Sequence, residues 1–243
     1  MSVELRFQRV LLKMSGEVLK GTEPFGIQPD AVVAAAQRVK QLVDLGTEVA
    51  LVIGAGNIFR GQAASRQGMD RSCADQMGML ATMMNALAMR DALESVGAPA
   101  EILSALPVPG LVQGFDYRVA DRLLGEGKVV LFAAGTGHPY FTTDTTAALR
   151  ACEIRANAVL KGTQVDGIYT ADPKTNPDAE RFTSISYSEA LSRRLKVMDS
   201  TAFSLCMDND IPIVVFNFSH DGVLTDVVKG DLSQATLVCS DPT

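Results

Sequence analysis

Aromatic residues make up only 6% of the 243 residues, cysteines number four, and the 22 lysines and arginines are outnumbered by 28 aspartates and glutamates. Each shortage excludes something. Cys73, Cys152, Cys206 and Cys239 stand far apart with no C-x-x-C spacing, which argues against a disulfide framework or a zinc site and for reduced thiols in a cytoplasm. Cys73 has nothing beside it that marks a nucleophile. A net charge of −6 leaves no broad basic face, so nucleic acid is not an expected partner, and any polyanion must be held by a few cations gathered locally. Nor does any apolar run approach the roughly 18 residues of a membrane span. The first nine residues carry Glu4, Arg6 and Arg9 where a signal peptide would be apolar. The expectation is a cytoplasmic protein with neither a nucleic-acid nor a membrane partner.

What the chain does have is aliphatic bulk. Hydrophobic residues make up 47%, enough for a large core without staples, and no Gly-, Ser- or Pro-rich linker divides it, so a single domain over residues 1–243 is expected. Short aliphatic runs at 10–13, 48–53, 100–103, 129–133, 158–160 and 211–218 read as strands. Helical stretches alternate with them at 30–45, 75–96, 117–124, 142–154, 186–191 and 199–207. Pro29 and Asp30 open the first helix and Gly46 closes it as a left-handed cap, while Gly97 and Pro99 stop the second. The runs at 129–132 and 211–216 do not alternate, so both faces of the sheet are covered. That predicts an α/β fold, with a mostly parallel sheet between helical layers. The segment 162–181, with turn signals at Asp166-Gly167, Asp172-Pro173 and Asn176-Pro177, reads as a long loop of the kind that covers a site.

Three strand ends deliver glycine with polar residues: Lys13-Met14-Ser15-Gly16, Gly54-Ala55-Gly56-Asn57 and Gly135-Thr136-Gly137-His138. At the carboxyl edge of a parallel sheet, glycine permits positive φ or a close approach of backbone N–H groups to an anion. Any one of the three is equally well a tight turn; together, with Lys13 and Arg60, they point to phosphate. Familiar phosphate motifs are excluded. Phe59 stands where a dinucleotide fingerprint needs its third glycine, and no G-x-x-x-x-G-K-[ST], H-R-D or D-F-G occurs. Asp144, beside a predicted helix start, has two open roles: a capping carboxylate, or a partner that orients Lys13.

Those loops, with Phe59-Arg60-Gly61, Asp75-Gln76-Met77-Gly78-Met79, the run from Gly135 through Pro139-Tyr140-Phe141-Thr142-Thr143 to Asp144, and Val165-Asp166-Gly167-Ile168-Tyr169-Thr170-Ala171-Asp172-Pro173, resemble the bacterial UMP kinases (uridylate kinases) of the amino acid kinase superfamily. The resemblance spans nearly the whole chain. It implies a three-layer α/β/α sandwich, a homohexamer built as a trimer of dimers, and transfer of the γ-phosphoryl group of ATP to UMP in pyrimidine nucleotide synthesis. It places Lys13, Arg60 and Asp144 in catalysis. It assigns ATP to Lys13, Met14, Ser15, Gly16, Gly56, Arg60, Thr163, Tyr169 and Asp172, and UMP to Ala55, Asp75, Thr136, Gly137, His138, Pro139, Tyr140, Phe141, Thr142 and Thr143. Magnesium is expected to arrive with ATP, since no carboxylate cluster offers a cage and no metal ligand is assigned.

Asp75 suits ribose hydroxyls, and donors at Thr142 and Thr143 suit a phosphate at a helix start. Ala55 stands where relatives often carry glycine, which requires a negative φ, and His138 where they often carry asparagine. His138 reads as a binding or loop-shaping residue, since an already ionised acceptor needs no general base. Met77, Met79, Met83, Met84 and Met89 on or near the long helix read as mostly core, some facing a dimer contact. The segment 21–26 resembles a loop tied to effector response. The resemblance brings inhibition by UTP at the UMP pocket and activation by GTP, although Glu94 and Glu101 place acid where GTP would want basic or neutral groups. Two rivals remain: an amino acid kinase acting on a carboxylate or carbamate, and a nucleotide sensor without turnover.

Overall fold

The computed structural model describes residues 4–173, 175–176, 178–193, 195 and 198–242, with the side chain of Gln62 outside the description. In chain order the strands are β1 (Arg9–Met14), β2 (Glu48–Ile53), β3 (Ala100–Ser104), β4 (Gln113–Gly114), β5 (Val129–Ala133), β6 (Ala158–Thr163), β7 (Ser184–Ser186), β8 (Ile213–Asn217) and β9 (Ala235–Cys239). The helices are α1 (Pro29–Asp44), α2 (Gly61–Arg66), α3 (Arg71–Ser95), α4 (Tyr117–Gly125), α5 (Thr143–Glu153), α6 (Tyr187–Ser192), α7 (Ser200–Asp208) and α8 (Val223–Lys229), with a 3-10 turn at Gly16–Lys20.

Among the described residues one nine-stranded sheet runs in the order β4-β3-β5-β2-β1-β6-β8-β9-β7. Neighbours are parallel except β8 and β9, so the sheet is mostly parallel as expected. Strand alternation sorts the core into two layers. Val10, Leu12 and Met14 of β1 enter the cluster beneath α1, α3 and α8, while Leu11 enters the cluster beneath α4, α5 and α7. Helices thus cover both faces, which is the α/β/α sandwich.

Differences from the sequence reading have local causes. Helix α3 starts at Arg71 rather than 75, because the Asp70 side chain accepts from the Cys73 N–H and caps it there. Strand β6 continues to Thr163 instead of stopping at 160. Lys161-Gly162-Thr163 breaks the apolar run, yet the ladder to β1 and β8 goes on. Among elements the sequence pattern did not mark are α2, α8, the short β4 and β7, and β9, whose antiparallel pairing follows no crossover rule. Gly46 has φ +87° and Gly97 φ +83°, as their capping roles require. In the 162–181 loop, Lys174 and Pro177 lie outside the described residues, and with Pro177 the Asn176-Pro177 turn.

A candidate nucleotide phosphotransfer site

Strand pairing builds the chemical centre. Lys13 in β1 shares the face of Leu11, and Lys161 in β6 shares the face of Val159; the two lysines are direct register partners. Two cations side by side on one face need a counter-charge. The start of α5, which packs over that face, supplies it. Asp144 binds Lys13 Nζ through Oδ1 at 2.8 Å and Lys161 Nζ through Oδ2 at 2.7 Å, all three side chains less than 15% exposed. The capping alternative for Asp144 is removed, because Thr142 caps α5: its hydroxyl oxygen accepts from the Asp144 and Thr145 N–H groups. Burial alone would raise the Asp144 carboxyl, but the charges of Lys13 and Lys161 outweigh it and hold Asp144 below its usual range. Burial pulls the Lys161 ammonium below its ordinary value, Asp144 opposing the shift and Lys13 adding to it.

Lys161 was missing from the sequence reading. Its signal was a lysine inside an otherwise aliphatic strand, and the early end given to that strand hid it. Asp199 was missed as well. It accepts hydrogen bonds from the hydroxyls of Thr142 and Thr145 while capping α7 through the Ala202 N–H, so it ties the starts of two helices together.

Beside this centre lie two clefts. One, of about 150 Å³, is lined by Ala55, Asp75, Thr136, His138, Phe141, Thr142 and Thr143, together with Phe59, Gly61, Met79 and Thr82. Seven of the ten residues assigned to UMP thus converge. Gly137, Pro139 and Tyr140 do not line it; Gly137 turns at φ +81°, where a Cβ would meet that of Ala105 at 3.3 Å. The other cleft, of about 490 Å³, is lined by Thr163, Val165, Ile168, Tyr169, Ala171 and Asp172 among others. It collects three of the residues assigned to ATP. The Tyr169 hydroxyl donates to Asp166 at 2.6 Å, which raises the phenol above its usual value and leaves the ring as the wall.

The glycines earn their places differently. At Gly16 a Cβ would lie 2.2 Å from Asn57 Oδ1 and 2.3 Å from the Gly54 carbonyl oxygen, so only glycine lets the first loop touch the second. Ser15, just before it, accepts from the Glu17 N–H. Strand alternation turns the Met14 side chain into the core opposite Lys13, and its carbonyl accepts from the Gly54 N–H. Ala55 has no positive φ, as its methyl requires. Arg60 does not join the lysine pair. Its guanidinium, 65% exposed at the rim, binds Glu17 at 2.6 Å and the Gly56 carbonyl oxygen at 3.3 Å. Glu17 pairs also with Lys20; burial would raise its carboxyl, but the two cations hold it below its usual value.

A further cleft of about 700 Å³ opens at the other end of the strands, around Gln8, Arg9, Glu48, Arg155 and Asn157. Arg9, Glu48 and Arg155 of its lining are paired, Arg9 binding Glu48 and Asp121 and Arg155 binding Asp121. It offers no reacting group. Among the described residues no three His, Cys, Asp or Glu side chains gather as a metal cage.

A mostly parallel sheet with paired lysines, a bracketed carboxylate and two clefts at its carboxyl edge defines a phosphotransferase-type α/β protein. The sequence profile of the amino acid kinase family matches residues 8–217, and the chain belongs to that family. Its relatives include the uridylate kinase of Stutzerimonas stutzeri (strain A1501), 54% identical over 96% of this chain and 94% of that one. The uridylate kinase of Pseudomonas aeruginosa strain PAO1 is 53% identical over 96% and 95%. Among solved structures, the UMP kinase from Bacillus anthracis superposes with a TM-score of 0.93 at 34% identity, covering 97% of both chains. The UMP kinase from Ureaplasma parvum does so with a TM-score of 0.90 at 38% identity, covering 97% of this chain and all of the other.

Proposed function

We propose that the chain, acting as one domain over residues 1–243, is a UMP kinase that moves the γ-phosphoryl group of ATP directly to UMP, giving ADP and UDP for pyrimidine nucleotide synthesis. The observation that carries this reading is the placement of the Lys13–Asp144–Lys161 cluster beside two clefts, one with a carboxylate and hydroxyl donors, the other with an aromatic wall. The obstacle to the reaction is repulsion between a triphosphate and a monophosphate brought close together. Lys13 and Lys161 meet that repulsion with fixed charge, and Asp144 keeps the two ammonium groups together and aimed.

Asp144 is not a base in this scheme, because both its oxygens are engaged and the acceptor is already ionised. Arg60 exchanges Glu17 for phosphate oxygens when nucleotide enters. Asp75 takes the ribose hydroxyls, the Thr142–Thr143 helix start receives the phosphate, and His138 shapes the exposed side of that cleft. The Tyr169 ring packs on the adenine, with Thr163 and Asp172 beside it and Ser15, Gly16 and Gly56 lending main-chain groups to the phosphates. Magnesium enters as part of the substrate, on the triphosphate.

Association through α3 fits the same reading. Met79, Met83 and Met89 are buried, but Met77, Leu80 and Met84 are 40%, 54% and 53% exposed at helical spacing, an apolar stripe suited to a dimer contact within a hexamer. UTP would compete for the UMP cleft. GTP activation has less support, because Glu94 and Glu101 line the cleft beside Lys128, and Glu101 already binds that lysine at 3.4 Å. No described helix is long and apolar enough to cross a membrane, and the free cysteines suit a cytoplasmic setting.

The test is turnover of the purified chain with Mg-ATP against UMP, CMP, carbamate and acetylglutamate. UDP formation is expected; no reaction with UMP would overturn the proposal.

A further inference from the structure

Asp75 lines the acceptor cleft, yet one of its oxygens is occupied by the protein itself. Oδ2 binds Arg71 Nε at 2.7 Å and accepts the Tyr140 N–H at 2.8 Å, while a Cβ on Gly61 would sit 3.1 Å from Oδ1. The Arg71 guanidinium also covers the Tyr140 ring, 5.4 Å from its centroid. Tyr140 itself is 67% exposed and holds φ +72°, a left-handed backbone that an aromatic residue keeps only when its neighbours insist. These contacts join the first turn of α3 to the 136–143 loop at one carboxylate oxygen. They also answer an electrostatic difficulty, since a bare carboxylate in a cleft that receives a phosphomonoester would repel it.

We infer that Arg71 is a positioning residue of the acceptor cleft: it neutralises and orients Asp75 and, with Tyr140, holds the 136–143 loop against α3, so that affinity for the nucleoside monophosphate depends on it and affinity for ATP does not. The inference rests on the proposed UMP kinase reading and deepens it. Its geometry also assigns a use to Tyr140, which stands outside the cleft lining yet carries the strained backbone.

The experiment is steady-state kinetics of the full chain and of Arg71→Met, Tyr140→Leu and the double variant. Arg71→Met is expected to raise the KM for UMP about tenfold, leaving the KM for ATP and kcat within about threefold. Tyr140→Leu should act in the same direction, less strongly. The double variant should be little worse than Arg71→Met alone, because both remove one clasp. An unchanged KM for UMP, an equal rise for both substrates, or additive effects would overturn the inference. Tyr140→Leu carries the test alone if Arg71→Met does not fold, and an unchanged KM for UMP in it overturns the inference. Failure of the unsubstituted chain to turn over UMP removes the functional reading instead, so the two failures are distinguishable.

Discussion

Beneath the acceptor half of the cleft, the holding is done by buried side chains of the long helix. Asn85, fully buried, exchanges amide hydrogen bonds with Asn57 at 2.8 and 3.0 Å and donates to the Gly54 carbonyl at 2.8 Å, while Asn57 donates on to Gly26. Thr82, also on α3, takes the Ala134 N–H at 2.9 Å. Around the donor half, the 163–173 loop is held by bonds within itself and to its flanks. Thr163 binds Val165, Tyr169 binds Asp166, the Thr170 N–H donates to the Glu180 carbonyl while its hydroxyl accepts the Glu180 N–H, and Arg181 reaches the carbonyls of Ser233 and Ala235. The acceptor half is thus set by a polar network that water does not reach, and the donor half mostly by contacts that water can replace, the buried bond from the Ile168 N–H to the Thr236 hydroxyl excepted. Breaking the first is costly and breaking the second is cheap.

The largest effect is expected where the halves share a residue. Lys13→Ala should lower kcat on the order of a hundredfold or more with the fold retained, since Lys161 still neutralises Asp144; single-turnover phosphoryl transfer measures it. An equal loss of affinity for both nucleotides at unchanged kcat would mean that the seam only binds. Next comes the floor of the acceptor half. Asn85→Leu strands Asn57 and the Gly54 carbonyl, and urea unfolding should report a loss of about 2–3 kcal/mol.

Acid sharpens the comparison further. Asp144 titrates below its ordinary value of 3.8 when folded, so the unfolded chain takes up that proton first as pH falls. Its stabilisation is complete above that value and is lost as pH drops through the lowered one. Asp144→Asn should therefore flatten the acid limb of thermal stability below about pH 4. The smallest effect belongs to the donor wall. Tyr169→Phe keeps the ring and loses only the bond to Asp166, so the KM for ATP should move by less than about twofold.

How much was legible in advance follows the same divide. Strand-end glycines, helix caps and aliphatic runs are local signals, and they located β1, β2, β5, α1, α5 and the loops that form both clefts. Lys13 and Asp144 were legible because each sits beside such a signal. Lys161 was not, since its meaning depends on which strand lies next to β1, and strand order is a property of the whole chain. The Asn57–Asn85 pair joins residues 28 apart whose side chains look unremarkable singly. That Lys13 and Met14 point to opposite layers is not shown by the motif, which names consecutive residues, while a strand sends alternate ones to opposite sides.

Because Lys13 and Lys161 face each other across adjacent strands with period two, the chain tolerates length changes unevenly. An extra codon in the exposed turn at 125–127 lengthens a surface excursion, whereas one inserted between Leu11 and Lys13 would swing the ammonium into oil on the far side of the sheet. Deletion scanning along the gene should therefore find silent sites in the first stretch and dead enzyme in the second.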